Sequence, residues 1–267
     1  MKGTILEKIV DAKRLRVEAA KRSIRIERIA ERLVPLPDSG RFRKAISDSS
    51  NINIIAEFKR ASPSKGVINE SLDPANAATQ YQNGGANAIS VLTEEDFFKG
   101  SLDDLRNIRA ATELPILRKD FIIDEYQIYE SAAVGADAIL LIVAALDADT
   151  LLRFQRLANE FGLDAIIEVH DLAELETAIG IDAKIIGVNN RNLMTFDVSL
   201  DVSRELIKHA PNDVVMIAES GLKTRGDLIE LHELGYSGFL IGETLMRSGD
   251  PEKEMKKLAT ERTEVKE

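Results

Sequence analysis

The residues best able to do chemistry stand where short apolar runs end. Ala56-Glu57-Phe58-Lys59, Leu117-Arg118-Lys119-Asp120, Ile167-Glu168-Val169-His170, Val188-Asn189-Asn190-Arg191 and Ala218-Glu219-Ser220-Gly221 each pass from apolar residues straight into acidic, basic or amide side chains. Side chains alternate along an extended strand, so Glu57 shares a face with Lys59, and Asn189 with Arg191. A single charge in such a place is ordinarily a strand end entering water. Five sets in one chain point instead to carboxylates and ammonium groups gathered at one rim. There each shifts the proton affinity of the others, as acid–base catalysis at neutral pH requires.

A second cluster suits an anion. Ser220-Gly221 opens one loop, and Ile241-Gly242-Glu243-Thr244 runs into a short helical turn over 244–247. Backbone N–H groups at such turns bind phosphate, and glycine lets the ligand approach the backbone. Glu243 speaks against a side-chain phosphate contact and leaves the amides as the ligands. The segment Arg60-Ala61-Ser62-Pro63-Ser64-Lys65-Gly66 fits a substrate-covering loop and a plain surface loop equally well. Other candidates are weaker. His170 follows Glu168 one step further out and reads as part of a solvated rim. His209 and His232 fall on helical segments, so three scattered histidines without cysteine make no zinc set. Glu94-Glu95-Asp96 reads as a helix start or a solvated group rather than a metal site.

These residues need a scaffold that brings strand ends together. Eight short runs rich in Ile, Leu and Val occur at 52–58, 88–92, 115–117, 138–143, 165–169, 184–188, 214–218 and 238–241. They show little alternation, as expected of parallel strands covered on both faces. Helical patterns fill the gaps at 74–83, 102–112, 125–134, 148–161, 172–179, 200–209, 224–234 and 251–258. Gly84, Gly135, Gly162, Gly180 and Gly235 stand where C-capping glycines belong. Eight strand–helix units in succession predict an α/β fold, a (β/α)8 TIM barrel, whose active site lies at the C-terminal strand ends. An open doubly wound sheet is the competing topology, but the GxGxxG that usually announces it is absent. The segment 5–33 reads as one basic helix ended by Pro35 and Pro37. We therefore expect an N-terminal helical extension over 1–47 and a barrel over 48–267.

Composition sets the outer bounds. The 267 residues are 44% hydrophobic and 30% charged, which excludes a disordered or fibrous chain. With no cysteine, disulfides and thiolate chemistry are impossible, and a reducing, cytoplasmic setting is the simple expectation. No apolar run approaches the length of a membrane span. The net charge of −10 argues against a general nucleic-acid binder. Yet the first 35 residues hold ten Lys and Arg against five Asp and Glu, so the remainder is more acidic than the total suggests. The predominant expectation for these cations is a solvated helix face.

The motifs also resemble a known family. Glu57-Phe58-Lys59-Arg60-Ala61-Ser62-Pro63-Ser64 is similar to the signature of indole-3-glycerol phosphate synthases. The similarity continues through Leu92-Thr93-Glu94, Lys119-Asp120-Phe121-Ile122, Leu140-Leu141-Ile142-Val143, Ile167-Glu168-Val169, Gly187-Val188-Asn189-Asn190-Arg191-Asn192-Leu193, Ala218-Glu219-Ser220-Gly221 and Ile241-Gly242-Glu243. The resemblance implies conversion of 1-(2-carboxyphenylamino)-1-deoxyribulose 5-phosphate to indole-3-glycerol phosphate, CO₂ and water in tryptophan biosynthesis, with no cofactor and no metal. It implies Lys119 as general acid and Lys59 as a second lysine on the anthranilate carboxylate. Glu168 would be the general base, with Glu57 as its partner carboxylate and Asn189 in the same catalytic network. Ser62, Arg191, Glu219 and Ser220 would bind substrate, and Phe121, Leu140 and Leu193 would flank its aromatic ring. Gly221, Gly242 and Glu243 would hold phosphate, Glu243 standing where some members have serine.

Nucleic acid and membrane are not expected partners, whereas other tryptophan-pathway enzymes are candidates. Phosphoribosylanthranilate isomerase, the nearest rival barrel, uses a cysteine base that this chain lacks. A Schiff-base aldolase and a non-catalytic phosphate-binding barrel are the remaining alternatives. For an acidic protein to admit a phosphate and a carboxylate, the basic N-terminal segment together with Lys59, Lys119 and Arg191 is expected to form a positive mouth.

Overall fold

The computed structural model describes residues 4–31, 33 and 40–259. Eight parallel strands close into a barrel: β1 (Asn53–Phe58), β2 (Ala88–Leu92), β3 (Ile116–Lys119), β4 (Ala138–Ile142), β5 (Asp164–Val169), β6 (Ile185–Asn189), β7 (Val215–Glu219) and β8 (Gly238–Ile241). Each strand pairs with its sequence neighbours, and β8 returns to β1 through Asn53↔Gly238 and Ala56↔Ile241. The (β/α)8 architecture read from the sequence is therefore the observed one. The third strand extends two residues past the predicted 115–117, because Arg118 and Lys119 stay in the ladder opposite Val91 and Leu92.

The helices are α1 (Ile5–Ser23), α2 (Ile26–Ala30), α3 (Arg41–Ile46), α4 (Pro74–Asn83), α5 (Leu102–Ala111), α6 (Glu125–Ala133), α7 (Ala148–Glu160), α8 (Leu172–Gly180), α9 (Asp201–Leu206), α10 (Arg225–Leu234), α11 (Glu243–Arg247) and α12 (Pro251–Ala259). Their starts are written locally. The side chains of Asp73, Ser101, Asp124, Asp147, Asp171 and Thr224 each accept a backbone N–H in the first turn of α4, α5, α6, α7, α8 and α10. The predicted helix 200–209 ends as α9 with a 3₁₀ turn over Ile207–His209. Among the predicted capping glycines, Gly135, Gly162 and Gly235 are left-handed, but Gly84 and Gly180 are not. Their turns are made one and two residues later by Gly85 and Asp182 (φ 91° and 57°).

Alternation splits the interior in two. Outward residues such as Ile54, Val91, Ile139 and Ile167 pack beneath the helices. Inward residues Ile55, Ala88, Leu117, Ala138, Leu140, Ile166, Ile185, Ile217 and Leu240 fill the barrel, and Phe42 and Ile46 of α3 pack onto that inner cluster. Arg41 fastens α3 through Asp137 at 3.1 Å, and Asp164 accepts the Arg43 N–H at 2.9 Å.

The N-terminal segment departs from the sequence reading in two ways. The predicted continuous helix 5–33 breaks at Ile24 and Arg25, both extended, which turns α2 so that Ile29 joins Val17 against Tyr126. Pro35 and Pro37, expected to end it, lie outside the described residues. Nor do its cations form a simple solvated face. Lys13, only 3% exposed, sits 2.9 Å from Asp120 and 2.8 Å from Glu95. Arg16 pairs with Asp96 and Lys21 with Asp124, both at 2.6 Å. The Glu95-Asp96 pair, expected at a helix start or in solvent, is thus half of the dock for α1. Their neighbour Glu94 is fully buried and accepts the N–H groups of Asp96, Phe97 and Phe98.

Removing one member of a buried ion pair costs about 3–5 kcal/mol, because the partner charge stays behind. Asp120 would keep Arg118, 3.0 Å away. Lys13→Ala should accordingly cost about 3 kcal/mol, the low end of that range, in chemical denaturation. An unchanged midpoint would show that α1 docks through its apolar residues alone.

Candidate active site

The C-terminal ends of the strands open into a cavity of about 700 Å³. Barrels stack their inward side chains in layers drawn from alternate strands. Here one such layer is charged: Glu57 from β1, Lys119 from β3, Glu168 from β5 and Glu219 from β7. The three carboxylates are at most 3% exposed. The Lys119 ammonium donates a hydrogen bond to Glu219 and lies 3.7 Å from Glu168, while Lys59 donates to Glu57. Arg118 and Asp120, the alternate residues of the third motif, point the other way. They form a buried network with Thr93, Gln127, Ser131 and Glu130 that also receives Lys13.

Burial and neighbours set the proton affinities. Desolvation pulls the Lys119 pKa down, but Glu219, Glu168 and Glu57 together outweigh it and raise it well above the ordinary lysine range. Glu57 is pushed up by burial and brought net below its usual value by Lys59 and Lys119. Burial also raises Glu168, yet the His170 imidazole 3.3 Å away, the charge of Lys119 and the Asn189 side chain bring it down to about 2. Glu219 goes the other way. Burial, together with repulsion from Glu168 and Glu57, exceeds the help of Lys119 and lifts it to about 7. The site thus holds an ammonium group, two ionised carboxylates and a carboxyl poised near neutrality.

Two glycines make room for this layer. A Cβ on Gly187 of β6 would overlap Glu219 Oε1, and one on Gly242, after β8, would overlap Glu57 Oε2. Gly242, expected at the phosphate end, is therefore also part of the acid–base end. Gly187 escapes sequence reasoning as a functional residue, since nothing in the sequence distinguishes it from a glycine in any strand.

Most of the other expected residues come together around the cavity. Glu57, Lys59, Lys119, Glu168 and Asn189 line it, as do Ser62, Phe121, Leu140, Arg191, Leu193, Ser220, Gly221, Gly242 and Glu243. Glu219 is the exception, buried beneath Lys119. The Asn189 side chain accepts the Arg191 N–H at 3.0 Å, and the Arg191 guanidinium reaches Ser64 Oγ at 3.2 Å and the Phe196 carbonyl at 3.4 Å. Ser220 and Gly221 are both left-handed (φ 64° and 84°), a strained conformation for the serine. Asn190, facing outward, donates to the Glu219 and Ser220 carbonyls and holds this turn in place.

Several further contributors are residues that the sequence reading did not assign to the site. Ile5, Leu6 and Ile9 of α1 line the cavity, so the N-terminal helix forms part of its wall. Phe98, whose ring lies 6.0 Å from that of Phe121, and Phe196 add apolar lining. The loop after β1 folds as a hairpin in which Ala61–Ser62 pairs with Gly66–Val67, placing Ser62 through Lys65 on the cavity wall. His170, read as solvated rim, is instead 12% exposed and bridges Glu168 and Glu174. The expected positive mouth also changes character. Lys13, Arg16 and Lys21 are paired, and Lys59 and Lys119 face carboxylates, which leaves Arg191 and Lys223 with Lys65 and Arg247 around Glu243.

Fold and site together define a (β/α)8-barrel enzyme of acid–base type. Among solved structures the fold is similar to a mutant tryptophan synthase α-subunit of Pyrococcus furiosus, with TM-score 0.60 and 14% identity over 78% of this chain and 98% of that one. Thiamine phosphate pyrophosphorylase from the same organism gives TM-score 0.59 and 16% identity, covering 79% and 95%. At these identities the likeness concerns the fold alone.

Sequence comparison is more specific. The family model for indole-3-glycerol phosphate synthase matches residues 6–258. The indole-3-glycerol phosphate synthase of Acetivibrio thermocellus is 48% identical, covering 91% of this chain and 95% of that protein. That of Ruminiclostridium cellulolyticum is 44% identical, covering 95% and 98%. The chain belongs to the indole-3-glycerol phosphate synthase family. Its activity is that of a decarboxylating lyase in tryptophan biosynthesis, acting on a phosphorylated small molecule. Among the described residues, no helix is long and apolar enough to cross a membrane.

Two expectations follow from the geometry. Gly187→Ala must displace the Glu219 carboxylate from its present position, so turnover per folded molecule should fall about ten-fold or more, alongside a stability loss of about 1–3 kcal/mol from crowding a buried strand; wild-type turnover would show that this placement is dispensable. The second concerns pH. Burial lowers the His170 pKa, but Glu168 and Glu174 raise it to about 10, against 6.5 unperturbed. The folded value lies above the unfolded one, so the stabilisation is complete below pH 6.5 and is lost as pH rises towards about 10. The melting-temperature difference between wild type and His170→Asn should shrink across that window.

Proposed function

We propose that Lys119 is the general acid of ring closure, with the charged layer around it dividing the remaining steps. The substrate is 1-(2-carboxyphenylamino)-1-deoxyribulose 5-phosphate. As the aryl carbon attacks the ribulose carbonyl, charge develops on its oxygen, and an ammonium group beside that oxygen supplies the proton. The observation that carries this reading is the position of Lys119, facing the cavity among three buried carboxylates that hold its proton at neutral pH. Loss of CO₂ follows from the carbon that formed the new bond.

Lys59 faces the cavity beside Glu57 and suits the anthranilate carboxylate and protonation of the departing hydroxyl. Glu168, ionised, is suited to take the proton released in dehydration, and Asn189 supports that carboxylate. Glu219 holds Lys119 in place. Ser62, Arg191 and Ser220 suit the substrate's polar groups, and Phe121, Leu140 and Leu193 its ring. At the far end, Gly221, Gly242 and the Glu243 backbone suit the phosphate. The residues named need no cofactor for these steps. We also take 1–47 as an extension and 48–267 as the barrel, in a cytoplasmic protein with other enzymes of the tryptophan pathway as candidate partners.

Purified protein given this substrate should produce indole absorbance and fluorescence. Lys119→Ala should lower kcat by about 10²-fold or more, with KM much less affected. A Lys119→Ala variant with full turnover would remove Lys119 from the acid role.

A further inference from the structure

The proposed mechanism leaves one buried titratable group beside its base unused. His170 lies two residues beyond Glu168 on the same face, with Nε2 3.3 Å from Glu168 Oε1. Its Nδ1 lies 2.9 Å from Glu174 Oε2. That Glu174 oxygen also accepts the His170 backbone N–H at 2.8 Å, and the Glu174 N–H donates to Asp171 Oδ1 at 2.9 Å, in the cap of α8. The imidazole is therefore gripped from its outer side by a residue that is itself fixed to the helix start. Nδ1 hydrogen-bonds to Glu174 while Nε2 makes a charge contact with Glu168, and an imidazole with a carboxylate beside each nitrogen is held as the imidazolium.

We propose that His170 is a positioning residue for Glu168: clamped by Glu174, its imidazolium holds Glu168 Oε1 so that Oε2 faces Lys119 and the substrate. This rests on the reading of Glu168 as the base. The arrangement supplies what a catalytic carboxylate needs, a fixed rotamer and a full negative charge within a buried pocket. The titratable groups facing the imidazole are Glu168 from β5 and Glu174 from α8. Lys119 on β3 reaches it only through Glu168, and the turn Val143–Ala145, which packs beside α8, brings no charge. Loss of the imidazolium frees Glu168 to rotate and raises its proton affinity.

The test is steady-state turnover of the carboxyphenylamino substrate from about pH 4 to 9, on the whole chain, for wild type, His170→Ala, His170→Asn, Glu174→Gln and Glu168→Gln. Thermal melts of each correct for the folded fraction. His170→Ala should lower kcat about 10–100-fold, as loss of a positioning partner does, with KM within about two-fold. The acid limb of kcat/KM, which lies below this range in wild type while Glu168 is held at about 2, should move up into it. His170→Asn, which returns one N–H towards Glu168, should recover part of kcat without restoring the limb. Glu174→Gln should move the limb in the same direction by less. The inference is overturned if His170→Ala keeps wild-type kcat and an unmoved limb, or if its loss only tracks the folded fraction. Glu168→Gln separates the two levels. Retained turnover there removes the base assignment and the positioning role with it, whereas its loss beside a wild-type-like His170→Ala removes the positioning role alone.

Discussion

A lysine ammonium held among three buried carboxylates is the interaction on which the rest of this structure depends. Taken singly, each of these charges would be costly beneath a barrel rim, and burial would neutralise it. Together Glu57, Glu168 and Glu219 face Lys59, Lys119 and the His170 imidazolium, so most of the charge is compensated within a few ångströms. A closed barrel is well suited to build such a set. Alternate strands send side chains to one level, and β1, β3, β5 and β7 deliver the four members of the charged layer from four separate places in the sequence. The intervening strands then have to leave space. Gly187 on β6 and Gly242 after β8 do so, lying against Glu219 and Glu57, and any larger residue there would displace a carboxylate.

The same electrostatic logic extends outward. Directly after Lys119, at the cavity wall, the Asp120 side chain binds Arg118, Thr93 and Lys13. The N-terminal helix thus reaches, through Lys13, the backbone that carries the proposed acid. The same buried face, nearer the helix start, supplies Leu6 and Ile9 to the cavity wall, with Ile5 beside them. Docking by ion pairs and enclosure of the site are two consequences of one helix position.

Much of this was legible in the sequence, for physical reasons that also explain what was not. Continuous apolar runs, glycines after helices and charges at strand ends are local signals, and they were sufficient for the eight strands, for the gathering of charge at one rim and for the shared face of Glu57 and Lys59. The partners of α1 were not legible, because Lys13 meets Asp120 and Glu95 across more than eighty residues, and a helix rich in Arg and Lys looks the same whether solvated or docked. The burial of His170 was hidden similarly. Its parity with Glu168 was readable, but Glu174 covers it only because α8 begins immediately after the strand. Gly187 and Gly85 carry no sequence mark of their own: what requires them is the approach of a distant carboxylate in one case and a left-handed turn in the other.

The distribution of charge around the cavity then has a direction. On the acid–base side, Lys59 and Lys119 are balanced by the carboxylates they touch. On the side formed by the loops after β1, β6, β7 and β8, compensation is incomplete. Arg191 hydrogen-bonds to the neutral acceptors Ser64 and Phe196, and Lys223 adds a further cation. Lys65 and Arg247 share the single carboxylate of Glu243, at 3.9 Å and 3.1 Å. Among the cavity-lining residues here, these four cations face one carboxylate, which leaves this part of the wall locally positive in a chain whose net charge is −10. Field lines from such a rim reach only about a Debye length, roughly 8–10 Å at ordinary salt, so the acidic bulk of the surface matters less to an arriving anion than these side chains do. The positive mouth is thus built from the loops that suit the phosphate, while the cations of the N-terminal helix are committed to holding that helix in place.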